Sequence, residues 1–171
     1  MVQKVCQDCG EAFEAREAYH KYCPKCFRAG RGRQPASRLR ADYLEGGYFL
    51  DAEKTKLRPE IIDSSAIDVA KALGSAQPPM TAHQLRRFYR KTRAIESKLD
   101  RTQDFQLVLA DIYTLKRDAA DAVARKVVSE EFKRFMERNV ELAASDEGSF
   151  RKGFIQHFQS VLAYFGYYFK E

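Results

Sequence analysis

A chain of 171 residues with 44% hydrophobic and 32% charged residues is long enough to bury a core and too apolar to be disordered. Its formal net charge is +6 and its pI about 9.1, a balance that favours polyanionic partners such as nucleic acid. No stretch predicts a membrane span: the nearest, residues 153–169, is short and interrupted by Gln156, His157, Gln159 and Ser160. Residues 1–9 lack an apolar h-region, so no signal peptide is expected, and a cytoplasmic location with reduced cysteines follows.

The charge is unevenly placed. Residues 1–40 carry nine Lys/Arg against four Asp/Glu, residues 41–79 four against seven, and residues 80–171 seventeen against thirteen. The two ends are basic and the middle is acidic.

All four cysteines lie near the N-terminus. Cys6-Gln7-Asp8-Cys9 and Cys23-Pro24-Lys25-Cys26 are two C-x-x-C knuckles. Each pair can present two thiolates to one metal, and four thiolates make a closed tetrahedral shell. Cys6, Cys9, Cys23 and Cys26 are therefore expected to hold a structural zinc, with disulfides or vestigial cysteines as the alternatives. The thirteen residues between Cys9 and Cys23 are slightly fewer than the usual ribbon spacing. His20 is expected on the surface, because four cysteines already fill the shell. So short a module has almost no apolar core and should fold only with its metal. Residues 1–30 thus read as a zinc-ribbon-like module with four cysteine ligands. Residues 28–40 hold five arginines and no acid, so 31–46 read as a flexible basic linker.

Gly46-Gly47 marks a turn and Tyr48-Phe49-Leu50 reads as a short extended piece; beyond it the spacing is helical, and no strand alternation competes with it. Pro59 predicts a helix start, with Ile62, Ala66, Val69, Ala70 and Leu73 inward, Gly74 as its end and Pro78-Pro79 blocking continuation. Thr81-Ala82-His83-Gln84 fits a capping box. The helix behind it points Leu85, Phe88, Thr92, Ile95 and Leu99 into an arc of roughly 80°. Arg86, Arg87, Arg90, Lys91, Arg93, Lys98 and Arg101 spread over roughly 160° on the other side. Glu96 and Asp100 only flank the apolar stripe. Like-charge neighbours such as Arg86–Arg90 and Arg87–Lys91 repel at i, i+4 spacing. A polyanion along this face would reverse that sign, so these seven residues are the candidate nucleic-acid contacts. A merely solvated face, or one paired to acids of a neighbouring subunit, is the alternative.

A further helix is expected over about 104–127, with Phe105, Val108, Leu109, Ile112, Leu115, Ala119 and Ala122 inward. Lys116, Arg117, Arg125 and Lys126 alternate there with Asp111, Asp118 and Asp121, which reads as a mixed solvated face. Ser129-Glu130-Glu131 opens another helix, with Phe132, Phe135, Met136 and Val140 inward. Asp146-Glu147-Gly148 breaks the pattern. The last helix sets Phe150, Phe154, Phe158, Val161, Leu162 and Phe165 on one face. The aromatic C-terminus, including Tyr164, Tyr167, Tyr168 and Phe169, reads as core or partner interface more readily than as a base-stacking surface. The fold class is all-α: a bundle of about five helices behind a small N-terminal four-cysteine module. No catalytic motif is present, and the three histidines are far apart in sequence.

Leu57-Arg58-Pro59-Glu60-Ile61-Ile62, Ala66 to Leu73, and Met80-Thr81-Ala82-His83-Gln84-Leu85-Arg86-Arg87-Phe88-Tyr89 together resemble the small subunit of type III-A (Csm-type) CRISPR effector complexes. The ending, with Phe158, Ala163-Tyr164 and Tyr167-Tyr168, is similar too. The resemblance covers roughly 47–171, and the cysteine module is an addition to the family pattern. It implies a non-catalytic helical subunit that stacks in several copies beside the backbone and large subunits. Its implied partners are guide RNA and target RNA, whose duplex would be held by shape and phosphates. Two other readings stand beside it: a zinc-ribbon DNA-binding regulator, and a protein-interaction scaffold without RNA contact.

Overall fold

The computed structural model describes residues 2–5, 12–15 and 38–169. Cys6, Cys9, Cys23, Cys26, His20 and linker residues 31–37 lie outside the described residues. The chain divides into two compact units, Met1–Ala36 and Ser37–Glu171.

In the first unit, β1 (Val2–Val5) pairs antiparallel with β2 (Ala12–Ala15), Val2 opposite Ala15 and Val5 opposite Ala12. In sequence, the first cysteine pair falls in the segment joining these strands.

The second unit is helical: α1 (Pro59–Ile62), α2 (Ser64–Ser75), α3 (Ala82–Thr102), α4 (Gln106–Ala124) and α5 (Glu130–Ala143). A π-helical segment (Ser149–Ile155) then runs directly into α6 (Gln156–Tyr168). Among the described residues, no helix is long and apolar enough to cross a membrane. The core is built on phenylalanines. Phe132, Phe135, Phe150, Phe154, Phe158 and Phe165 are all essentially inaccessible, and each such burial contributes about 1.5–3 kcal/mol. Phe88 of α3 meets Phe132 of α5 with ring centroids 4.6 Å apart, and Phe135 meets Phe158 at 5.2 Å.

The structure corrects three expectations. The helix predicted from Pro59 is interrupted at Asp63 (φ −121, ψ −101), which resets the phase between α1 and α2. As a result Ile61 is buried and Ile62, expected inward, is 45% exposed. Gly74 does not end the helix, which runs on to Ser75. Its missing side chain instead admits the Phe169 ring, which a Cβ would meet at 2.4 Å. Finally, residues 39–46 are not free linker. Leu44 is buried in the core, and Leu39 N–H donates to Glu131 Oε2 at 2.8 Å.

A buried polar chain fastens this strap. Tyr48 Oη donates to Asn139 Oδ1 at 2.6 Å, and Asn139 Nδ2 donates to Tyr43 Oη at 3.0 Å and to Phe135 O at 2.7 Å. Tyr43 Oη lies 2.6 Å from His157 Nε2, and His157 Nδ1 lies 2.6 Å from Ile61 O. Donors and acceptors all match when the imidazole is neutral with its proton on Nδ1. Burial pushes both phenols above their ordinary range. It pushes His157 down to about 4, against the weaker pull of its bond to Ile61. Tyr48 also covers Gly153, where a Cβ would sit 2.3 Å from its ring.

Lys54 bonds Asp146 and reaches Ser149 Oγ at 3.0 Å. Burial pushes the Asp146 carboxyl up, but hydrogen bonds from Lys54, Ser145 and Ser149 outweigh it and hold the group well below its usual range. Asp146 Oδ1 accepts the Ser149 N–H at 2.9 Å, so the predicted break doubles as a cap for the helical turn that opens at Glu147 and leads into the π segment.

Candidate nucleic-acid interface

Helix α3 starts where its capping box requires. Thr81 Oγ1 accepts the Gln84 N–H at 3.2 Å, and Gln84 Oε1 accepts the Thr81 N–H at 2.9 Å. The same Gln84 amide donates through Nε2 to Val127 O at 3.0 Å, which ties the end of α4 to the start of α3. Leu85, Phe88, Thr92, Ile95 and Leu99 are buried, and the Thr92 hydroxyl is satisfied by Phe88 O at 3.2 Å. With that stripe fixed inward, the cationic arc must face away from the core.

The arc is not uniform. Lys91 Nζ pairs with Asp118 at 2.6 Å, and Lys98 Nζ pairs with Asp111 at 2.6 Å. Both acids belong to α4. Burial raises the Asp118 carboxyl, but hydrogen bonds from Lys91 and Arg117 outweigh it and keep the group below its ordinary value. At the other margin, Arg93 pairs with Glu96 at 2.5 Å. Arg151, from the π segment, reaches Glu96 at 3.7 Å, Asp100 at 2.7 Å and Glu147 at 2.6 Å. The face therefore carries more compensating acid than the helix alone predicts, because α4 lends it two aspartates.

Arg86, Arg87, Arg90 and Arg101 are left. All four are exposed, and among the described residues none has an ion pair or a side-chain hydrogen bond. On the helical wheel they occupy the central stretch of roughly 100°, with the paired cations at its edges. Exposed Ala94 and Ser97 lie among them. Beside Arg87 and Lys91, a cleft of about 400 Å³ opens between α3 and α4, lined also by Asp118, Asp121, Arg125 and Val127.

The aromatic C-terminus divides as well. Phe165 is core, Phe169 covers Gly74, and Tyr164 Oη donates to Asp63 at 3.0 Å. Tyr167 stays 70% exposed, and Tyr168 lies under Lys71 Nζ at 4.8 Å. Among the described residues, no group of three or more His, Cys, Asp and Glu could hold a metal. His157, buried in the core, is fully engaged by Tyr43 and Ile61.

Residues 56–171 match the family model described as Csm2 Type III-A. The chain belongs to the Csm2 type III-A family. It is thus a small subunit of a type III-A CRISPR complex. No curated protein matches the chain, and neither does any solved structure. The Csm2 match contains all of α3, and therefore every candidate arginine. It begins after Tyr43 and Tyr48, so the strap that closes the core lies outside the matched residues. The role of α4 as a source of counter-charge had no signal within the α3 sequence. Its aspartates are 13 and 27 residues away from the lysines that they neutralise.

Proposed function

We propose that this chain is a non-catalytic, cytoplasmic RNA-binding subunit that stacks in several copies within the type III-A complex. In that place it contacts the backbone and large subunits and holds the duplex of guide RNA and target RNA through its phosphates. The carrying observation is the set of four exposed arginines, Arg86, Arg87, Arg90 and Arg101, without partners among the described residues. They span about 22 Å along α3 at 1.5 Å per residue. An A-form duplex presents phosphates and 2′-hydroxyls across a wide, shallow groove. A straight helix face with small residues between its arginines can approach such a surface closely. Base edges are not needed, because pairing already reads the sequence.

The test replaces Arg86, Arg87, Arg90 and Arg101 with Ala in the full chain, within the assembled complex. Target-RNA affinity is measured across a salt series. The expected result is weaker binding and a salt slope flatter by about three, if each arginine neutralises one phosphate. The melting temperature should hold, since among the described residues these side chains make no ion pair or hydrogen bond. Unchanged RNA affinity together with failed assembly would establish the scaffold role instead.

The four-cysteine module belongs to the same proposal. Cys6, Cys9, Cys23 and Cys26 are a donor set suited to one structural Zn²⁺. The β1–β2 pairing supports this, since Cys6 directly follows the last paired residue, Val5.

A further inference from the structure

Among the described residues, four other than glycine adopt positive φ: Leu44 (56°), Lys54 (57°), Gln103 (52°) and Lys126 (57°). Left-handed backbone is disfavoured for residues with a Cβ, so each needs a reason. Three have one. Leu44 fills the core. Lys54 pairs with Asp146 and Ser149. Gln103 Nε2 donates to Asp100 O at 2.7 Å. Lys126 is exposed, and among the described residues its side chain has no hydrogen bond, ion pair or ring contact.

Its backbone position is well defined. Lys126 N–H donates to Val123 O at 2.8 Å, and Val127 N–H donates to Ala122 O at 2.9 Å. These two bonds form a Schellman motif with Lys126 at the left-handed C′ position, where glycine is the usual residue. The next residue, Val127, is clamped by Gln84 of the α3 capping box. Arg125 and Val127, on either side of Lys126, line the α3–α4 cleft together with Arg87. The cleft acids are already neutralised: Asp118 by Lys91, and Asp121 by Arg125 at 2.8 Å. Among the described residues, Lys126 thus joins Arg86, Arg87 and Arg90 as a cation without an ion pair at this end of the helix pair.

We infer that Lys126 is a phosphate-contacting residue, which extends the RNA face from α3 onto the C-terminal end of α4. The inference rests on the RNA-binding reading above. A glycine at this position would suit the backbone better, and a lysine at a helix C-terminus gains only the small, screened attraction of the helix dipole, so its exposed ammonium is available to a partner outside the chain. Its ammonium group suits a phosphate oxygen as a point charge.

The test uses Lys126→Asn and Lys126→Gly in the full chain within the assembled complex, beside the four-arginine variant. Asparagine tolerates the left-handed backbone and glycine prefers it, so neither variant should melt earlier, and the glycine variant should melt later. Both should bind target RNA several-fold more weakly, with a salt slope lower by about one. Opposite signs for stability and binding are what a purely structural lysine cannot produce. Unchanged RNA binding in both Lys126 variants, while the four-arginine variant loses RNA, overturns this inference alone. Full RNA binding in all three variants overturns the RNA-binding reading with it. Loss of RNA in the Lys126 variants but not in the four-arginine variant keeps the Lys126 contact and removes the α3 face.

Discussion

Mild acid should destabilise the helical unit through His157. The imidazole is inaccessible to solvent and held at about 4, against an ordinary value of 6.5. Its charged form is thus disfavoured in the folded state. The unfolded chain takes up this proton as the pH falls through 6.5, whereas the folded chain does so only near 4. Stability from this group is therefore complete above pH 6.5 and drains away between 6.5 and about 4. The full gap corresponds to about 3 kcal/mol, of which about 2 kcal/mol is gone by pH 5. Among the described residues no carboxylate hydrogen-bonds His157; its partners are the Tyr43 hydroxyl and the Ile61 carbonyl. Asp118 and Asp146, both depressed, lose their contributions only as the pH falls below the carboxylate range, outside this window. The assay is urea unfolding at pH 7 and pH 5, followed by helical circular dichroism, with wild type beside His157→Gln. The variant should be weaker at pH 7, since glutamine cannot reproduce both ring bonds, but its loss on going to pH 5 should be smaller by about 2 kcal/mol. Equal losses in the two proteins would refute the assignment to His157.

Two further predictions follow from the packing and from the cysteine motif. Gly153→Ala puts a methyl group 2.3 Å from the Tyr48 ring and should cost about 1–3 kcal/mol by forcing the strap outward. A melting temperature equal to wild type would show that Tyr48 can shift freely. Complete chelation should speed proteolysis within residues 1–33 while the helical signal of the second unit persists. An unaltered cleavage rate would remove zinc from the proposal.

Local signals were legible in the sequence, and irregular or long-range ones were not. The capping box and the buried stripe of α3 depend on residues within a few turns of one another, and periodicity exposes them. The inward phase of Ile61 rather than Ile62 depends on a kink at Asp63 that no side-chain pattern announces. The strap hides for a different reason. Leu39, Tyr43 and Leu44 sit among arginines and small residues, and their partners lie about 90 or more residues away. The π turn escapes because Phe150, Phe154 and Phe158 also satisfy α-helical spacing. Within it Tyr48 sits closely on Gly153, a contact that no local spacing announces. The zinc motif is legible as spacing, yet its cysteines fall outside the described residues.

A wheel weights every cation equally, and the structure does not. Lys91, Arg93 and Lys98 sit at the margins of the arc, where acids of α4 or of α3 itself reach them. Such partly exposed pairs are worth at most about 1 kcal/mol each, so they do little for the fold. They do change what a phosphate would gain. Contact with a paired lysine exchanges one anion for another, whereas contact with Arg86, Arg87, Arg90 or Arg101 adds an interaction where there was none. Equal numbers of alanine substitutions at paired and unpaired cations should therefore have unequal effects on RNA. The four central arginines should carry most of the salt dependence, and Lys91 and Lys98 should contribute little to it. That ordering follows from the intramolecular pairing alone.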